Sequence, residues 1–160
     1  MLLTLRLSFD CPTLFLQNIV MDAPEQWAIW IGPAQQSDSP DLCAAHPCSI
    51  CWPKLPTATC TAPAGGQYAN ITLRNITINS PKQSPGVIFG NASAVISNVV
   101  FENVVVTNPP ATPWDKFYFC QNANGIATGT TSPVPPCFED RTHRALAAAA
   151  AVAELRPVVS

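Results

Sequence analysis

The side chains with the most chemistry in this chain are its seven cysteines, and their spacing sorts them into groups. Cys43, Cys48, Cys51 and Cys60 crowd together, with His46 among them. Cys48-Ser-Ile-Cys51 has the spacing of a zinc-ligand pair. The same four thiols can instead close two disulfides. There is a single C-x-x-C, and five prolines lie between Ser37 and Gly66. That setting favours disulfides, so no metal ion is expected. Which cysteine pairs with which is left open by the spacing. Cys120 and Cys137 form a separate pair, and a bond between them would close a loop worth roughly 3 kcal/mol on the chain-entropy model. Cys11 is left without a close partner.

Acid–base chemistry has less to work with. Asp38 and Asp41 fall in the cysteine-rich stretch, and Glu139-Asp140 near the end. None sits in a recognisable acid–base pattern, and there is no Ser-His-Asp signature, phosphate loop or His-Glu zinc motif. No catalytic residue and no cofactor is therefore assigned. Trp27, Trp30, Trp52, Trp114 and Tyr118 could stack on sugar rings, although aromatic residues in a repeating chain more often pack the interior. Trp114, beside Asp115 and Lys116 after a proline-rich turn, is the candidate carbohydrate contact. Three sequons, at Asn70, Asn75 and Asn91, are glycosylation candidates. Asn91, in a Gly-Asn-Ala-Ser loop, ranks first and Asn70 next.

These groups are positioned by a repeat. Ile71-Thr-Leu73-Arg-Asn75-Ile76-Thr-Ile78 is echoed by Val99-Val-Phe101-Glu-Asn103-Val104-Val-Val106, 28 residues on. An earlier copy, Leu14-Phe-Leu16-Gln-Asn18-Ile19-Val-Met21, precedes the first by 57 residues, roughly two periods. Each phrase alternates apolar and polar residues and is rich in Val, Ile and Thr, which is strand chemistry. A proline follows each phrase (Pro24, Pro81, Pro109), and then a second apolar run: 27–31, 87–89 and 117–119. One such unit cannot bury its apolar face alone but can do so stacked on its neighbours. The expected fold is all-β: a right-handed parallel β-helix of about three coils. Asn tolerates left-handed backbone and can bond to its equivalent in the next coil. Asn18, Asn75 and Asn103 are therefore expected to form an internal structural ladder, and an Asn75 held in it could not carry a glycan.

The stretches NITLRNITINSPKQSPGVIFGN, NVVFENVVV and WDKFYFCQNANGIATGTTSPVPPCF, with Ala28-Ile-Trp-Ile-Gly-Pro-Ala-Gln-Gln36 upstream, resemble the C-terminal coils of polygalacturonase-like proteins. These are members of glycoside hydrolase family 28 with the pectin-lyase-like fold. The resemblance covers about residues 11–139. It implies cleavage of pectic or related polysaccharide by an inverting acid–base pair. The family's Asn-Thr-Asp, Asp-Asp, Gly-His-Gly and Arg-Ile-Lys motifs do not occur in this chain, so no catalytic residue is carried over. The resemblance also implies a monomeric full-length protein. The expectation is a C-terminal fragment of a longer hydrolase, inactive by itself. The alternative is a non-catalytic extracellular carbohydrate-binding or structural protein.

Composition bounds the rest. Net charge is −2 and only 11% of residues are charged, with no basic patch for nucleic acid. No stretch is long enough to span a membrane. Cysteines and sequons together point to a secreted or cell-wall location, although no signal peptide is visible in Met1-Leu-Leu-Thr-Leu-Arg-Leu. That absence and the unpaired Cys11 lead to the expectation of a missing N-terminal portion. The chain divides into coils over 1–139, with the cysteine-rich insertion at 33–66, and an Ala-rich helical or disordered tail over 140–160. Residues 120–138 are expected to be a polar loop held by Cys120 and Cys137.

Overall fold

The computed structural model describes residues 13–32, 67–111 and 115–142. Among them there is no helix. Eight strands follow in order: β1 (Leu14–Asp22), β2 (Ile29–Ile31), β3 (Ala69–Asn79), β4 (Gly86–Phe89), β5 (Ile96–Thr107), β6 (Phe119–Gln121), β7 (Ala123–Thr128) and β8 (Phe138–Asp140). They form two sheets, a five-stranded one in the order β1-β3-β5-β7-β8 and a three-stranded one in the order β2-β4-β6. Every pairing between these strands is parallel. From β1 to β7 successive strands thus alternate between sheets, and each of β1 to β5 pairs with the strand two places on; β8 instead pairs directly with β7 in the same sheet. Parallel neighbours need a long crossover between them, and up to β7 each crossover carries a strand of the other sheet.

Register follows the sequence repeat. Ile71 pairs with Leu14 on one side and Val99 on the other; Ile76 pairs with Ile19 and Val104. The inward positions therefore form columns: Leu16, Leu73, Phe101 and Ala127 in one, Met21, Ile78 and Val106 in another. Ile71, Leu73, Ile76, Ile78, Val99, Phe101 and Val104 are buried completely or nearly so, and each buried aliphatic or aromatic side chain contributes roughly 1.5–3 kcal/mol.

Burial along β3 and β5 is not strictly alternating. Ile71 and Leu73 point in, Arg74 and Asn75 both stay outside, then Ile76 and Ile78 point in again. The cause is the backbone at Asn75, which is left-handed at φ 52°. One residue in that conformation bends the strand and shifts the phase of a two-residue period. Both halves of a long strand can then face the same interior.

The 120–138 segment differs from the loop expected of it. It contains β7, which pairs with β5, and it ends in β8, which pairs with β7. Its apolar signal is weak because its inward positions are Gly125 and Ala127. Space explains the small residues. A Cβ on Gly125 would lie 2.5 Å from the Val99 carbonyl oxygen and 2.8 Å from the Phe138 ring. Phe138 fills that volume instead, edge-on to Phe101 with ring centroids 5.1 Å apart. Tyr118 packs on Phe101 from another direction, at 5.8 Å. Phe117, expected within a strand, is outside β6 and 53% exposed. The sheet runs through Asp140, and Thr142 beyond it is buried.

Candidate functional site

The conspicuous polar arrangement is a row of asparagines along the bend of the five-stranded sheet. Asn18, Asn75 and Asn103 all adopt positive φ, at 58°, 52° and 56°. Asn103 Nδ2 donates to Asn75 Oδ1 at 3.0 Å, and Asn75 Nδ2 donates to Asn18 Oδ1 at 3.2 Å. The row runs along the surface, not inside: Asn18 and Asn75 are exposed and Asn103 half-buried. The same left-handed turn that shifts the burial phase points these side chains outward.

The row has a built end. Thr130 N–H donates to Asn103 Oδ1 at 3.0 Å, where a further Asn would otherwise stand. Gly129 makes this close approach at φ 64°, and a Cβ there would overlap Asn103 Oδ1. Thr131 then continues the sheet with its side chain. Its hydroxyl accepts from Val104 N–H at 3.2 Å and donates to the Thr128 carbonyl at 2.8 Å. Ser132 resumes backbone pairing, donating to the Val104 carbonyl at 2.9 Å and accepting from Val106 N–H at 2.8 Å.

Two further polar rows flank it. Asn98 Nδ2 donates to Asn70 Oδ1 at 2.7 Å, again with both residues at positive φ. Asn79 Nδ2 donates to Asp22 Oδ1 at 2.7 Å, and Asn79 Oδ1 accepts from the Thr107 hydroxyl at 3.1 Å. Neither row was read from the sequence. The signal was there: Asn70 and Asn98 stand 28 residues apart, one period.

The carboxylates with defined partners are engaged in holding the fold. Glu102 meets Arg74 at 2.7 Å, with both side chains more than a third exposed, and such a pair contributes about 0.2–1 kcal/mol. Arg74 also lies over the Phe15 ring at 5.1 Å. Asp140 Oδ1 accepts from Thr142 N–H and hydroxyl at 2.9 and 2.7 Å. Glu139 pairs with Arg141 at 2.7 Å, and this bond and charge raise the Arg141 pKa further. Among the described residues no group of three or more His, Cys, Asp or Glu side chains could hold a metal ion, and no helix is long and apolar enough to cross a membrane.

A shallow cleft of about 390 Å³ lies beside the end of the asparagine row. Thr130, Ser132, Asp140 and Thr142 give it polar walls, and Val134 an apolar one. Hydroxyls both donate and accept, which suits a sugar. Its residues all fall between Gly129 and Thr142, a stretch whose sequence carries no recognisable site pattern.

Cys120 and Cys137 are joined by a disulfide, with Cα atoms 5.8 Å apart and a sequence separation of 17. Asn91 sits in the turn after β4. Trp27 and Trp30 are buried, ring edge to ring face at 5.3 Å, and Tyr118 is buried too. Trp114, Trp52, Asp38, Asp41, Cys11, Cys43, His46, Cys48, Cys51 and Cys60 lie outside the described residues, as does the Ala-rich segment from Arg144 to Arg156. No protein-family model matches the chain, and no curated protein or solved structure is similar enough to be matched to it.

Proposed function

We propose that these strands are consecutive coils of a right-handed parallel β-helix. We propose further that the chain is part of a polygalacturonase-like extracellular protein that engages pectic or related polysaccharide. The observation that carries the fold is the register. Strands pair in parallel in both sheets at spacings that follow the repeat: Ile71 with Val99, 28 residues on, and Ile31 with Ile88, 57 residues on, the same spacing as Leu14 to Ile71. Left-handed bends recur in step, at Asn70 and Asn98, at Asn18, Asn75 and Asn103, and at Ala23, Ser80 and Asn108. Repeated bends at fixed register are what a chain needs to wind.

In this reading the coils build and close the stack and do not supply an acid and a base. The hydroxyl-lined cleft supports contact with sugar. Asp140 within it would repel polygalacturonate and favours a neutral or esterified chain. The test is retention of the protein by esterified pectin, with release of reducing ends followed in parallel. Retention that weakens in the Thr130→Ala/Ser132→Ala variant, with no sugar released, is the expected result. A protein that passes every pectic polymer unretained contradicts it.

One observation favours a non-catalytic binding or structural protein over a hydrolase. Asp22, Glu102, Glu139 and Asp140 are all committed to hydrogen bonds or ion pairs within the fold. Turnover of polysaccharide by the protein isolated from its natural source separates the two readings.

A further inference from the structure

Three sequons compete for one modification, and the fold treats them differently. Asn70-Ile-Thr72 and Asn75-Ile-Thr77 both lie within β3, a central strand paired on one side to β1 and on the other to β5. Their backbones are fixed in the sheet. Asn75 is the middle member of the surface row, donating to Asn18 and accepting from Asn103. Asn70 is at positive φ and accepts from Asn98 at 2.7 Å. A sugar on Asn75 Nδ2 would replace a hydrogen of an amide held between two others at strand spacing.

Asn91-Ala-Ser93 is arranged otherwise. β4 ends at Phe89, and the chain then reverses in a tight turn, with Ala94 N–H donating to the Asn91 carbonyl at 3.1 Å. Ala92 and Ser93 are exposed at its tip. The sequon closes on itself. Asn91 Oδ1 accepts from Ser93 N–H at 2.8 Å and from the Ser93 hydroxyl at 2.7 Å. The side chains that a transferase must read together, the Asn carboxamide and the hydroxyl two residues on, thus meet on a tight turn, with Asn91 half-buried and Ser93 exposed. No strand pairing has to be broken to reach them.

We infer that Asn91 is the N-glycosylated residue of the folded protein and that Asn70 and Asn75 remain unmodified. The co-reactant is a lipid-diphosphate-linked oligosaccharide. Asn91 Nδ2 attacks C1 of its first sugar, and the N–C1 bond forms as the C1–O bond to diphosphate breaks. Nδ2 gives up one proton, and the lipid diphosphate leaves with the bonding electron pair. The turn that bears this glycan lies between β4 and β5. The cysteine-rich insertion leaves after Gly32 and returns at Gln67, between β2 and β3, the corresponding connection of the preceding repeat.

The inference rests on the extracellular reading above, and its test is kept separate from polysaccharide binding. The full chain is expressed behind a secretion leader in a eukaryotic host. Its glycans are removed by peptide N-glycosidase in heavy-oxygen water, which marks each occupied Asn as labelled Asp. Mass spectrometry of the peptides should find the label at position 91 and none at 70 or 75. Asn91→Gln should lose one glycan's mass. Label at 70 or 75 in secreted monomer, or an unlabelled Asn91, overturns the inference. If little protein is secreted, the pool inside the secretory pathway is mapped in the same way, and an unlabelled Asn91 there is equally decisive. A protein glycosylated at Asn91 that ignores pectin keeps this inference and defeats the polysaccharide reading.

Discussion

Asn103 Nδ2 donates to Asn75 Oδ1 at 3.0 Å, across two strands whose Asn residues stand 28 positions apart. Both residues are at positive φ, so each Asn bends its own strand and bonds to the next.

That double role predicts a graded response at position 75. Asn75→Gly keeps the left-handed backbone and loses two hydrogen bonds, each worth roughly 0.5–1.5 kcal/mol. Asn75→Ala loses the same bonds and adds about 1–2 kcal/mol of backbone strain. Urea unfolding should rank stability as wild type, then Gly, then Ala. An Ala variant as stable as Gly would show that the conformation is not enforced.

At the other end of the row, Gly129 is required by space as well as by φ. Gly129→Ala should push Thr130 N–H off Asn103. The expected loss is at least 1 kcal/mol from the backbone term alone. Amide exchange at Thr130 should accelerate in this variant more than exchange at Ile76.

The Cys120–Cys137 bond joins β6 to the residue just before β8. Cys120→Ser/Cys137→Ser should cost about 3 kcal/mol by the loop-entropy estimate. Thermal melting of the double variant, compared with wild type under non-reducing conditions, measures it. An unchanged midpoint would mean that β8 is held by Phe138 packing alone.

Tyr118 supplies a pH test. Its hydroxyl is buried with no hydrogen-bond partner among the described residues, and burial pushes its pKa well above the usual 10.0. The unfolded state releases this proton near 10 and the folded state holds it, so stability should fall as pH rises beyond 10. Below that pH both states are protonated and Tyr118 contributes no slope. Tyr118→Phe should remove this part of the alkaline slope. At neutral pH it should be neutral or slightly stabilising, because an unpaired buried hydroxyl is lost.

Legibility in the sequence followed chemistry that repeats. Ile71, Leu73, Ile76 and Ile78, with Asn75 between the pairs, state both the strand and its bend, so the columns of the core could be read in advance. Gly125 and Ala127 could not be read as a strand, because the apolar volume at their level comes from Phe138, more than ten residues away. The surface position of the asparagine row was also hidden. Apolar neighbours on both sides of Asn75 implied burial, whereas the left-handed residue itself reverses the phase. The cleft beside Thr130 has no local signature, since Asp140 and Thr142 reach it only through the pairing of β8.

The measurement closest to the central claim is the set of interstrand proton–proton contacts seen by nuclear magnetic resonance in the full chain. Parallel pairing one repeat apart predicts contacts joining Ile71 with Val99, Ile76 with Val104 and Ile78 with Val106. Contacts running in the opposite order, with Ile71 near Val106 and Ile78 near Val99, would mean an antiparallel sheet and would contradict the stack.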